Sequence, residues 1–122
     1  MRDHLEPGPE HPITVLPLDG PVVVTRKGRT IARSTAALRL AEAGYPVVIY
    51  IPRADVDQSV LTRSEHTTHC PYKGDAAYFD LADGDERIDQ VAWSYEDPWP
   101  AVEAIRGHLA FYPDRVDISS ST

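Results

Sequence analysis

Cys70 and Lys73 stand three residues apart in Cys70-Pro71-Tyr72-Lys73-Gly74, which puts an ammonium within a turn's reach of the only thiol in the chain. A nearby cation lowers a thiol's pKa and raises its thiolate fraction. Cys70 is therefore a candidate nucleophile or redox thiol, with Lys73 or His69 assisting. The competing reading is a thiol that only packs, with Pro71 and Gly74 shaping the turn. Lys73 also admits a role of its own, because with Gly74 behind it an ammonium and a backbone N–H can face an anion. The pattern Gly-x-x-x-x-Gly-Lys-Ser/Thr is absent, so no nucleotide loop follows. A surface ion pair of Lys73 with Asp75 or Glu65 is the plain alternative. His66-x-x-His69-Cys70 has ligand types that suit zinc or copper, but adjacent His69 and Cys70 point apart in an extended chain and no fourth ligand follows. No metal and no cofactor are expected.

Aromatic residues supply a second kind of candidate. Tyr50, Tyr72, Tyr78, Trp93, Tyr95 and Trp99 can together wall a pocket, since small-ligand sites combine apolar walls with a few polar groups. Any one of them alone is more simply core, and a buried tyrosine hydroxyl needs a partner. Glu42 fits two roles equally well, a buried partner for an arginine or lysine and a solvent-facing acid.

These side chains must be placed by short elements, because 11 prolines divide the chain. Residues 13–16 and 22–25 read as strands. Lys27-Gly28 closes a hairpin onto residues 30–33. Residues 35–42, TAALRLAE, read as a helix ended by Gly44 and Pro46. Residues 47–51 are the most apolar strand. Residues 53–74 lack an apolar period and read as a long structured loop, a kind that is usually functional. Residues 76–81 and 87–95 form a hairpin about Ala82-Asp83-Gly84-Asp85-Glu86, with Ala77, Phe79 and Leu81 on one strand face and Val91, Trp93 and Tyr95 on another. Pro98 and Pro100 open a short helix over 101–106 that Gly107 ends. Residues 108–112 and 116–118 are closing strands. The sum is a mainly β, antiparallel single domain over 13–118 with two short helical segments, a flexible segment 1–12 and a flexible tail 119–122.

Composition narrows the function classes. The 122 residues carry 12 Lys+Arg against 19 Asp+Glu, a net charge of −7. That balance argues against general nucleic-acid binding, which needs a basic surface. The charge is uneven: residues 75–97 hold eight acids and one base, whereas 20–41 hold five bases and no acid. One cysteine excludes a disulfide framework and any multi-cysteine zinc site. A polar, proline-rich start and short apolar runs speak for neither a signal peptide nor a membrane span, and a lone thiol makes the cytoplasm the expected compartment.

Four ordered blocks carry a resemblance. They are Tyr50-Ile51-Pro52-Arg53-Ala54-Asp55-Val56, the run from Thr68 through Cys70-Pro71-Tyr72-Lys73-Gly74 to Tyr78, then Ala92-Trp93-Ser94-Tyr95-Glu96-Asp97-Pro98, and Ile105-Arg106-Gly107-His108-Leu109-Ala110-Phe111-Tyr112. Together, over roughly residues 11–118, they resemble the bacterial domain of unknown function 427. The resemblance implies a β-tent-like fold, the group of methionine sulfoxide reductase B and the drug-binding domain of cereblon. Many members of that group hold zinc with two Cys-x-x-Cys pairs, which this chain lacks, so the fold is expected without zinc. A nucleotidyltransferase label is sometimes attached to the family. That chemistry needs paired carboxylates on Mg²⁺ after a Gly-Ser turn. Asp55-Val56-Asp57 has the spacing, but the upstream pair is Gly44-Tyr45, and Asp83-Gly84-Asp85 looks like a hairpin tip.

The reading with most support is a small-ligand-binding domain with a polar or anion-accepting pocket around Cys70–Gly74. Lys73 orients the ligand, Asp55 and Cys70 flank it, and Tyr78, Trp93 and Tyr95 line it. An enzyme using Cys70 with Lys73, or a protein-interaction module with an exposed apolar patch, are the alternatives.

Overall fold

A computed structural model describes residues 4–120. Its strands are β1 (Ile13–Pro17), β2 (Val22–Arg26), β3 (Arg29–Ser34), β4 (Leu38–Glu42), β5 (Val48–Tyr50), β6 (Leu61–Cys70), β7 (Gly74–Asp83), β8 (Glu86–Ser94), β9 (Ala110–Phe111) and β10 (Asp117–Ser120). Short 3₁₀ turns occupy Arg53–Asp55, Gln58–Val60 and Pro100–Ile105. The strands form three sheets, ordered β1-β4-β5, β10-β2-β3 and β6-β7-β8-β9, and every pairing is antiparallel. The chain is thus mainly β, as both the local patterns and the β-tent resemblance imply.

The β6–β9 sheet supports a core on each face. Val22, Val24, Ile31, Phe79, Leu81 and Val91 belong to the first core, and Leu40, Tyr50, Ala76, Tyr95, Val102 and Ile105 to the second. Strand alternation explains the split along β7: Ala77 and Phe79 go to the first core, Ala76 and Tyr78 to the second. Along β8 the alternation breaks. The register with β7 shifts between Phe79 and Leu81, Gln90 has φ +51°, and its N–H donates to Asp80 Oδ1 at 2.8 Å. Two extra residues of β8 lie opposite Asp80 here, and within this bulge Val91 turns to the first core while Trp93 and Tyr95 serve the second, so the three do not share a face.

Two other expectations need correction. Residues 35–42 contain no helix; Leu38–Glu42 is the central strand β4, paired with β1 on one side and β5 on the other. Its residues favour helix in isolation, but eight are too few to hold one without packing. Two strand partners override the propensity. Residues 53–74 are not a long loop. After two 3₁₀ turns they form β6, an edge strand whose exposed face hides any apolar period. The segment expected as a helix at 101–106 is the 3₁₀ stretch Pro100–Ile105, kinked at Val102. The hairpins fall where expected: Lys27 and Gly28 both have positive φ between β2 and β3, and β7 and β8 turn about Gly84-Asp85.

At the ends, Ser119 and Ser120 pair with Val23 and Val22 of β2. Leu5 N–H bonds Pro71 O at 2.9 Å, and Gly8 bridges His11. The expectations for residues 1–3 and 121–122 lie outside the described residues. No helix among the described residues is long and apolar enough to cross a membrane.

Candidate functional site

The turn Cys70–Gly74 joins β6 to β7. Lys73 is only 9% exposed, and its ammonium bonds Glu42 Oε1 at the end of β4. The other carboxylate oxygen of Glu42 lies 2.8 Å from His11 Nε2, whose ring stacks on Tyr72 with centroids 3.9 Å apart. Lys73 Nζ also lies 5.9 Å from the centre of the Tyr95 ring. Glu42 is therefore the buried partner, and neither Asp75 nor Glu65 takes the lysine. Burial alone would raise the Glu42 carboxyl, but hydrogen bonds and charge from Lys73 and His11 outweigh it and hold the carboxyl below its usual range. With its charge committed to Glu42 inside the protein, Lys73 is a poor acceptor for an external anion.

Cys70, Tyr78 and Trp93 pack with Tyr50 and Tyr95 on the second core. Trp93 Nε1 donates to Tyr50 Oη at 3.3 Å, and Tyr78 Oη bonds Thr68 Oγ1 at 2.9 Å. Burial pushes the Tyr50 phenol far above 10 despite the bond from Trp93, and it does the same to Tyr95, with the neighbouring Tyr50 and Cys70 adding to it. Both phenols stay protonated at neutral pH. Tyr112 is pushed up to about 12, chiefly by burial and then by Tyr78. His69 lies on the other side of β6 from this cluster, as alternation requires. It bonds Asp75 at 2.7 Å and meets the Trp99 ring edge-on at 6.3 Å. His69 and Cys70 thus serve different surroundings. No group of three or more His, Cys, Asp or Glu among the described residues is placed to hold a metal ion.

Asp55 does not join this group. It sits in the Arg53–Asp55 turn and accepts from Ser34 Oγ at 2.6 Å. Asp57 accepts from Ser59 and from Arg29 at 2.9 Å. The two carboxylates are held by separate partners rather than converging on a shared cation.

Beside the turn lies a cleft of about 510 Å³, lined by Arg63 and Thr67 of β6, Gly74–Ala77 of β7, and Glu96, Asp97 and Trp99. Three local features open it. The β6–β7 register shifts between Arg63 and Thr67, which releases residues 64–66 from the ladder. Gly74, at φ +109°, lies close to the segment after β8: a Cβ there would lie 3.4 Å from Asp97 O and 3.5 Å from Trp99 N. Trp99 N–H then donates to Lys73 O at 3.0 Å and anchors the far wall. Glu96 ties the floor, with one oxygen 2.7 Å from Arg63 and the other 3.1 Å from Arg53. Asp97 is bound by Arg106 at 3.1 Å and remains 91% exposed. Trp99 stacks on His4, centroids 4.2 Å apart. Its Nε1 is the one buried side-chain polar atom without a hydrogen-bond partner among the described residues. Such an atom costs about 1–3 kcal/mol and calls for a functional explanation.

Arg53, Arg63, Glu96 and His11 escaped sequence reasoning. Arg53 and Glu96 lay inside the ordered blocks and could have been found there. Arg63 and His11 gave no signal, because the contacts that matter join residues far apart in the chain.

Fold and cleft together define a mainly β, antiparallel domain with a polar cleft beside a buried ion-pair network. The chain belongs to the family described as Domain of unknown function (DUF427), which it matches over residues 14–122. No curated protein matches it.

Proposed function

We propose that this protein binds a small polar molecule, and that the ligand sits in the cleft beside the Cys70–Gly74 turn rather than on Lys73. The carrying observation is the lining of that cleft. Three carboxylates, Asp75, Glu96 and Asp97, line it with one guanidinium, Arg63, beside the unsatisfied indole of Trp99, while Arg53 and Arg106 reach Glu96 and Asp97 from outside the lining. Asp97, 91% exposed, is the carboxylate most open to a ligand and favours a cationic group there, reversing the anion preference expected from Lys73 in sequence. An acceptor on the ligand would suit Arg63, whose planar fork has donors beyond the one on Glu96. The cleft's size is within the roughly 300–1,000 Å³ of small-molecule sites.

A thermal-shift screen over amines, zwitterions, anions and neutral metabolites tests this. Ligands of the native state raise its melting point by mass action. Amine-bearing compounds are expected to raise it, and Asp97→Asn to weaken the shift without changing the unliganded melting point. A screen in which only anions shift the protein, or in which nothing does, refutes the reading.

A further inference from the structure

We propose a second binding site on a different face: an apolar groove that takes a small free carboxylic acid, with its apolar body in the groove and its carboxylate on Arg39. The groove encloses about 600 Å³ between β5 and β10, with Tyr45, Val47, Ile49, Trp93, Phe111 and Ile118 among its walls. It runs into a neighbouring cavity of about 400 Å³ through the shared residues Val47, Ile49 and Ser120, and Arg39 lines that far end.

Sheet geometry dictates the arrangement. Arg39 of β4 is paired with Ile49 of β5 and with Leu16 of β1, so the three share one sheet face. Leu38 and Leu40, one residue to either side, turn to the opposite face and join the second core. This face therefore carries an apolar stripe, with Ile49 packed against the edge of the first core, ending in a cation. Tyr45 and Val47 on the groove wall are 67% and 44% exposed, large apolar surface left in water.

Charge selects the occupant. Arg39 supplies the only charge among the described residues lining the two cavities. It makes no hydrogen bond or ion pair among the described residues, whereas Arg26, Arg29, Arg53, Arg63 and Arg106 each have an acid. A guanidinium with no partner among the described residues, at the end of an apolar channel, matches a carboxylate held by two parallel hydrogen bonds. The site shares only Trp93 with the aromatic cluster and no residue with the polar cleft.

The test uses the full chain labelled with ¹⁵N and ¹³C, titrated separately with octanoate, 1-octanol and octyltrimethylammonium. Shifts are read at the Trp93 indole N–H, the Trp99 indole N–H and the methyl groups of Val47 and Ile49. Octanoate is expected to shift Trp93, Val47 and Ile49 saturably and leave Trp99 in place, binding at least about tenfold tighter than octanol, a difference of about 1.4 kcal/mol. Arg39→Gln should erase that preference while octanol still binds, and Arg39→Lys should restore part of it. Equal affinity for octanoate and octanol overturns the proposal, as does the absence of a saturable shift. So does concentration-dependent movement of the Val47 and Ile49 signals without ligand, with sedimentation as a dimer. That result would make a second copy of the chain the occupant.

Discussion

Lys73 and Glu42 carry opposite charges into a place where their side chains are only 11% and 12% exposed. Each charge loses hydration worth several kcal/mol, so the pair persists because each partner satisfies the other and His11 adds a further hydrogen bond. Removing one partner should be far worse than removing both. Glu42→Gln leaves a buried ammonium facing an amide and is expected to lower unfolding stability by about 3–5 kcal/mol, whereas Glu42→Met with Lys73→Met should recover most of it. Urea unfolding of the single and double variants checks this. The pH dependence follows from the lowered Glu42 carboxyl. Its unfolded counterpart titrates near the usual 4.5 and takes up a proton first as pH falls. The stabilisation is therefore complete above that value and drains away as pH drops through the folded one. Unfolding midpoints measured from pH 7 down to pH 3 should fall in wild type and change less in Glu42→Gln.

Among the elements, the turn from β6 into β7 has the largest effect on what the surface can bind. Gly74 holds φ +109°, and the backbone at Asp97–Trp99 passes 3.4–3.5 Å from where its Cβ would be, ordinary contact distance. Gly74→Ala must strain that conformation, on the order of 1–3 kcal/mol, and relaxing the strain moves the turn that walls the cleft. The expected result is a lower urea midpoint together with loss of any ligand-induced thermal shift. Retention of the shift would separate the cleft from this turn. β4 makes a related point about elements. Five of the eight residues that favour helix, Leu38–Glu42, become a central strand once β1 and β5 flank them, and only there does Glu42 reach Lys73.

Over the whole molecule, the two charged regions meet. The β2–β3 turn belongs to the basic stretch and the β7–β8 tip to the acidic one. Arg26 lies 2.7 Å and Lys27 3.6 Å from Glu86, and Arg29 lies 3.3 Å from Asp83 and 2.9 Å from Asp57. The acidic hairpin is thus docked and partly neutralised rather than freely solvated. These pairs are exposed and screenable, since the Debye length falls to about 3 Å in 1 M salt. Glu86→Lys should destabilise the protein at low salt, and the loss measured by thermal unfolding should shrink in 1 M NaCl. An equal loss at both ionic strengths would mean that packing, not charge, joins the hairpins.

The sequence by itself determined what depends on neighbours in the chain. Lys27-Gly28 and Asp83-Gly84-Asp85-Glu86 announced their turns through residue types that tolerate tight backbone geometry. Ala77, Phe79 and Leu81 announced a buried strand face by alternation, and the ordered blocks announced the family. Tertiary structure decided everything that required distant residues to meet. It made 38–42 a strand, because pairing on both edges outweighs local propensity, and it made 61–70 an edge strand whose polar surface hid its period. It also moved the candidate site. Charge does not record its partner in sequence, so Lys73 read as an anion acceptor until Glu42, thirty-one residues earlier, closed on it and left the neighbouring cleft to carboxylates.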